Sequence, residues 1–226
     1  MPQTVSEREF EEFCRAREIE FERIPEAETQ TPDYELIIGG TRVVVEVKET
    51  EPNAEEQEAD RLIAQRGYGK VVSHTPGARV RKKIESCSAQ LKARASGVCP
   101  TLLVVFDQGR VAGHVEGYNI RVAMYGLEQV HLAVPPFGGG SPYATGISHG
   151  PKRKMTETDN TAISAIGALV MTGPSEHHLL VYRNVFARVP LDPALLAPFG
   201  VRHFDIAEST SGSASSWQEV STSHAP

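Results

Sequence analysis

A Gly-Gly pair flanked on both sides by β-branched and apolar residues constrains this chain more tightly than any other stretch. Residues 31–49 read TPDYELIIGGTRVVVEVKE. Tyr34 to Ile38 and Val43 to Val47 have the composition of strands, and two glycines between two such runs signal a two-residue hairpin. With Gly39 and Gly40 as the turn, Ile38 faces Thr41, Leu36 faces Val43 and Asp33 faces Glu46. Alternation sends Tyr34, Leu36, Ile38, Val43, Val45 and Val47 to one apolar face, and Asp33, Glu46 and Lys48 to the other. The first face reads as core and the second as chemistry.

Two carboxylates facing each other across a sheet repel and destabilise it unless something neutralises them. A divalent cation that prefers oxygen ligands would do so, and Mg2+ is the expected ion, with Mn2+ as a substitute. Pro32-Asp33, twelve intervening residues, then Glu46-Val47-Lys48 resembles the PD-(D/E)XK nuclease superfamily. The resemblance implies that Asp33 and Glu46 bind the metal and that Lys48 positions or activates the attacking water. It also implies an α/β fold of restriction-endonuclease type: a mixed sheet flanked by helices with an αβββαβ core. DNA is the expected partner, in preference to RNA, with endonucleolytic cleavage and a homodimer compatible with the class. A catalytically inactive nuclease-fold protein, acting as a nucleic-acid-binding or scaffold module, is the alternative.

The N-terminal segment fits a helix beginning at Glu7, with Ser6 and Glu9 as a capping box and Val5 and Phe10 as a hydrophobic staple. Glu7, Phe10, Cys14 and Arg17 then share one face. The resemblance makes Glu7 an auxiliary metal ligand; a first-turn acid favoured by the helix dipole explains it equally well.

Downstream, ARVRKKIESCSAQLKARA places Val80, Ile84, Cys87, Leu91 and Ala95 at helical spacing. Lys83, Gln90 and Arg94 line one edge of that stripe, and Arg79 precedes it after a Pro-Gly turn. The resemblance makes Gln90 the residue that supports the site or a substrate phosphate; the local charge, and for Arg79 the turn before the helix, make Arg79, Lys83 and Arg94 candidate nucleic-acid contacts, with a solvated helix edge as the alternative. A net charge of -6 argues against a generic nucleic-acid binder, yet the charge is uneven. Residues 1–60 hold 18 acids and 6 bases, whereas residues 61–94 hold 9 bases and one acid, Glu85. Basic charge thus follows the candidate site directly. The Lys152-Arg153-Lys154 cluster reads as a further backbone contact or as a surface loop.

At 226 residues the chain is long enough to bury a sizeable core. Cys14, Cys87 and Cys99 have no paired spacing and read as reduced core residues of a cytoplasmic protein. No apolar run approaches the roughly 20 residues of a membrane span, so no membrane partner is expected. The coarse order is a helix over 7–17, a strand over 18–24, the hairpin, a helix within 55–67, the basic helix and a strand over 101–106. A short helix over 118–124, a strand over 130–134, a helix over 161–171 and a strand over 179–183 follow. One nuclease-like domain over 1–206 is expected, with core 1–109 and a sheet extension over 110–206. The Ser/Thr/Gly/Ala-rich residues 207–226 read as a disordered tail. His177-His178 lacks a third ligand and reads as a surface or edge pair, Ser164 reads as packing, and residues 137–141 read as a loop. His74 has no assigned role.

Overall fold

The protein is described from a computed structural model covering residues 3–25, 30–69, 75–108, 114–135, 140–173, 176–207 and 215–221. Gly39 and Gly40 adopt φ of 57° and 79°, the left-handed region a primed hairpin turn requires. Strands β2 (Tyr34–Ile38) and β3 (Thr41–Thr50) accordingly pair antiparallel, with Ile38 opposite Thr41, Leu36 opposite Val43 and Tyr34 opposite Val45. The expected register is the observed one. Strand β1 (Phe21–Arg23) pairs with the outer edge of β2. On the other side β3 runs parallel to β4 (Thr101–Asp107), reached through helices α2 (Ala54–Arg66) and α3 (Ala78–Ala95). Beyond β4 come helix α4 (Gly117–Tyr125) and a separate two-stranded ribbon of β5 (Glu128–Ala133) and β6 (Tyr143–His149).

The main sheet continues through β7 (Ala165–Gly173), β8 (Glu176–Arg183), β9 (Arg202–Ala207) and β10 (Ser216–Glu219). Its order is β1-β2-β3-β4-β7-β8-β9-β10 with mixed strand directions. Helix α1 (Val5–Ala16) covers one face, where Phe10, Phe13 and Cys14 pack on Tyr34, Leu36, Val45 and Leu102. The short α5 (Pro193–Leu196) adds Leu196 to the same core. Helices α3 and α4 cover the other face, packing Val80, Ile84, Cys87, Leu91, Ile120 and Met124 against Val44, Leu103, Val105 and Ile166. Each such aliphatic side chain, fully buried, contributes about 1.5–3 kcal/mol. The three cysteines are unpaired and buried. No helix among the described residues is long and apolar enough to cross a membrane.

Several expectations need correction. The hairpin has core on both faces: Val44 belongs to the cluster under α3, so the site is a polar inclusion in a covered face. Helix α1 begins earlier than expected, because Thr4 is its N-cap and Glu7 closes the box, each accepting a hydrogen bond at 3.2 Å from the other's backbone N–H. Two overlapping S/T-x-x-E patterns compete here, and Thr4–Glu7 wins. That releases Glu9 for a distant partner. The helix expected over 161–171 is strand β7: the stretch from Ala165 to Met171, AIGALVM, is apolar because Ala165 and Leu169 face one core while Ile166 and Ala168 face the other. A strand buried on both faces loses the alternation that identifies strands.

The region expected to be a disordered tail contributes β10, antiparallel to β9 with Trp217 opposite Ile206. Trp217 anchors it, donating to the Gly117 carbonyl at 2.7 Å and lying 4.9 Å from the Tyr182 ring centroid. One aromatic outweighs the surrounding polar composition. His74, and most of the loop at 137–141, lie outside the described residues.

Candidate active site

Glu46 sits in the middle of β3, flanked by β2 and β4 and roofed by α3, and is 0% exposed. Among the described residues neither of its carboxylate oxygens accepts a hydrogen bond of normal geometry. Lys48, two residues along the same face, lies in ion-pair contact with it. A buried carboxylate without hydrogen bonds is costly in its charged form. Burial first, and then the charge of Asp33, push the Glu46 carboxyl up from 4.5 to about 7, against the downward pull of Lys48 and the Gln90 side chain. Gln90 reaches the site because it occupies the buried edge of α3.

Asp33 stands just before β2, where pairing with β3 ends. Its Oδ2 accepts the Val47 backbone N–H at 2.7 Å, which fixes the carboxylate beside Glu46. Burial raises the Asp33 pKa; the Val47 N–H, Lys48 and Arg23 oppose the rise, and Glu7 adds to it. Lys48 experiences the mirror image: burial works against its charge, but Glu46 and Asp33 outweigh it and raise its pKa. It is therefore an ammonium at neutral pH.

Glu7 is brought to the same place by the first turn of α1. Its carboxylate pairs with Arg23 of β1, whose guanidinium lies 5.8 Å from the Tyr34 ring centroid. Arg23 was not singled out by any pattern in the sequence, since three-residue strands carry little periodicity. The structure thus gathers Asp33, Glu46, Lys48, Glu7 and Gln90 around one point, with Arg23 as an unanticipated neighbour.

The basic candidates behave differently. Arg79 is committed to Glu56 of α2 and to the Glu51 carbonyl. Arg94 donates to Glu35 at 2.7 Å, and Arg42 approaches the same carboxylate at 3.3 Å. Lys83 is half-buried on α3. Lys154 of the second basic cluster pairs with Glu85. Ser164 is structural: its hydroxyl accepts the Thr101 N–H at 2.9 Å.

His177 departs from the sequence reading. It is buried rather than on the surface, at 2.7 Å from Glu9, and Glu9 also receives Arg8 at 2.7 Å. Burial would raise the Glu9 pKa, but Arg8 and His177 together lower it. Potential ligand atoms of Glu9, Glu12 and His177 lie within 4.8 Å of one another. Unlike Glu46, Glu9 already has hydrogen-bond partners, so this group reads as a hydrogen-bonded network joining α1 to β8. Nothing local in the sequence links residues 168 positions apart.

No family model, no curated protein and no solved structure matches this chain.

Proposed function

We propose that this protein is a Mg2+-dependent nuclease of the PD-(D/E)XK type that hydrolyses phosphodiester bonds, with DNA as substrate. The observation that carries the reading is the Glu46 carboxylate: wholly buried, without a hydrogen bond of normal geometry among the described residues, beside a second carboxylate and a lysine. Without a cation, that arrangement stores repulsion and desolvation cost. A hard cation with oxygen ligands fits the donor set and relieves both. Asp33 and Glu46 would hold it, with Glu7 as an auxiliary ligand. When bound, Mg2+ polarises the scissile phosphate and lowers the pKa of the attacking water.

The chain's own residues divide the remaining work. The Val47 N–H holds Asp33 in place, and Gln90 and Lys48 steady the charged form of Glu46. Lys48, protonated at neutral pH, orients the water or neutralises charge developing on the phosphate, and does not serve as a base. The order of a helix, three meandering strands, helices and a parallel strand supports a restriction-endonuclease-like core.

A non-catalytic scaffold is favoured by one observation, the internal commitment of Arg79 and Arg94. Substitution separates the two readings. Asp33→Ala and Lys48→Ala are expected to abolish Mg2+-dependent cleavage of plasmid DNA while preserving the circular dichroism spectrum. Wild-type-like cutting by either variant would refute the site.

A further inference from the structure

A cavity of about 180 Å3 opens between the C-terminal half of α3 and the turn preceding β7. It lies at the N-terminal ends of β4 and β7 and shares no residue with the Asp33–Glu46–Lys48 site. Its polar lining comprises Ser88, Lys92, Thr158, Asn160, Thr161 and Arg188, with no carboxylate among the described lining residues. Neither Lys92 nor Arg188 has an ion-pair partner among the described residues, whereas neighbouring Arg94 and Lys154 are paired with Glu35 and Glu85. In a chain with 29 acids against 23 bases, two unpaired cations converging on one concavity make a focused positive potential.

The polar wall is held in place by the fold. Asn160 adopts a left-handed φ of 53° and donates to the Lys154 carbonyl at 2.6 Å. Its side-chain oxygen accepts the Ser88 hydroxyl. Arg188 anchors the opposite side through its backbone N–H, which donates to the Thr161 carbonyl at 2.8 Å, and among the described residues no carboxylate pairs with its guanidinium. Asp159 is not itself part of the lining; its carboxylate accepts the Thr156 hydroxyl at 2.8 Å and the Thr158 hydroxyl at 3.4 Å. A guanidinium fork and an ammonium, with the Thr161 hydroxyl beside them, supply two positive charges and more donors than a carboxylate can use, which matches a tetrahedral dianion.

We infer that this cavity binds a phosphate group, independently of the nuclease reading. The phosphate belongs either to a small molecule, inorganic phosphate or a nucleotide, or to a nucleic-acid strand. Isothermal titration of the full chain in EDTA, which silences any metal site, tests it with four ligands. These are inorganic phosphate, a deoxynucleoside 5′-monophosphate, and one short single strand with and without a 5′-phosphate. Saturable one-to-one binding is expected for at least one of them, unchanged by Asp33→Ala. It should be weakened at least roughly tenfold in the Lys92→Gln, Arg188→Gln double variant, as expected for lost charge-assisted hydrogen bonds. Saturation by the small phosphates assigns the site to them; saturation by strands alone assigns it to nucleic acid. Both side chains are exposed, so the melting temperature should not change. Lys92→Gln alone, on α3, gives the same readout should the Arg188 change disturb its turn. Absence of saturation by all four ligands, or undiminished affinity in the variants, would overturn the assignment.

Discussion

At the scale of single residues, Glu46 carries the strongest electrostatic tension. Its pKa is raised from 4.5 to about 7 in the folded chain, by burial and then by Asp33. The folded state therefore favours the protonated form. The stability this confers is complete below about pH 4.5 and is lost as pH rises through 7. In EDTA at pH 8, Glu46→Gln is expected to raise unfolding stability by on the order of 1–3 kcal/mol, with the gain vanishing near pH 4.5. Urea titrations at the two pH values check this, and destabilisation at pH 8 would count against it. His203 has the opposite sign. Both ring nitrogens are buried without a hydrogen-bond partner among the described residues, and burial, with Arg183, lowers its pKa from 6.5 to about 4 against the pull of Asp205 and Asp192. Its neutral form stabilises the fold above about pH 6.5, and that contribution is lost as pH falls toward 4. His203→Leu should move the acid-unfolding midpoint to lower pH; an unchanged midpoint would exclude this role.

At the scale of elements, legibility follows periodicity. The register of the hairpin is legible because Gly39-Gly40 sets the turn and alternation sets the faces, which groups Asp33, Glu46 and Lys48; the burial of their face under α3 is not. The α3 stripe was equally readable: Val80, Ile84, Cys87, Leu91 and Ala95 are all buried as their spacing requires. Strand β7 was not, because a strand between two cores presents no polar face to mark its period. Glu9–His177 was illegible for a different reason, being a tertiary contact with no local signature. The true identity of β7 has a testable consequence. A Cβ at Gly167 would come within 2.9 Å of Leu179 Cδ1 and 3.5 Å of Leu102 Cδ1, so the small residue is required by packing between strands. Gly167→Val is expected to destabilise the protein by about 1–3 kcal/mol through overpacking, measured by thermal or urea unfolding. In a helix that substitution would have no such sheet neighbours to crowd.

At the scale of the whole molecule, charge is segregated: acids dominate residues 1–60, and bases dominate residues 61–94. Folding partly cancels that contrast, since Glu35 takes Arg94 and Glu56 takes Arg79. The surplus available to a phosphate-bearing substrate is therefore smaller than the sequence suggested, and the acidic pair of buried Glu46 and half-buried Asp33 carries more of the functional argument than the basic helix does. The most direct test of the central claim is incubation of the purified protein with supercoiled plasmid, with Mg2+ in one arm and EDTA in the other. Nicking or linearisation that requires Mg2+ and disappears in Asp33→Ala is the predicted result. Intact plasmid in both arms, together with no Mg2+-dependent rise in melting temperature, would contradict the account.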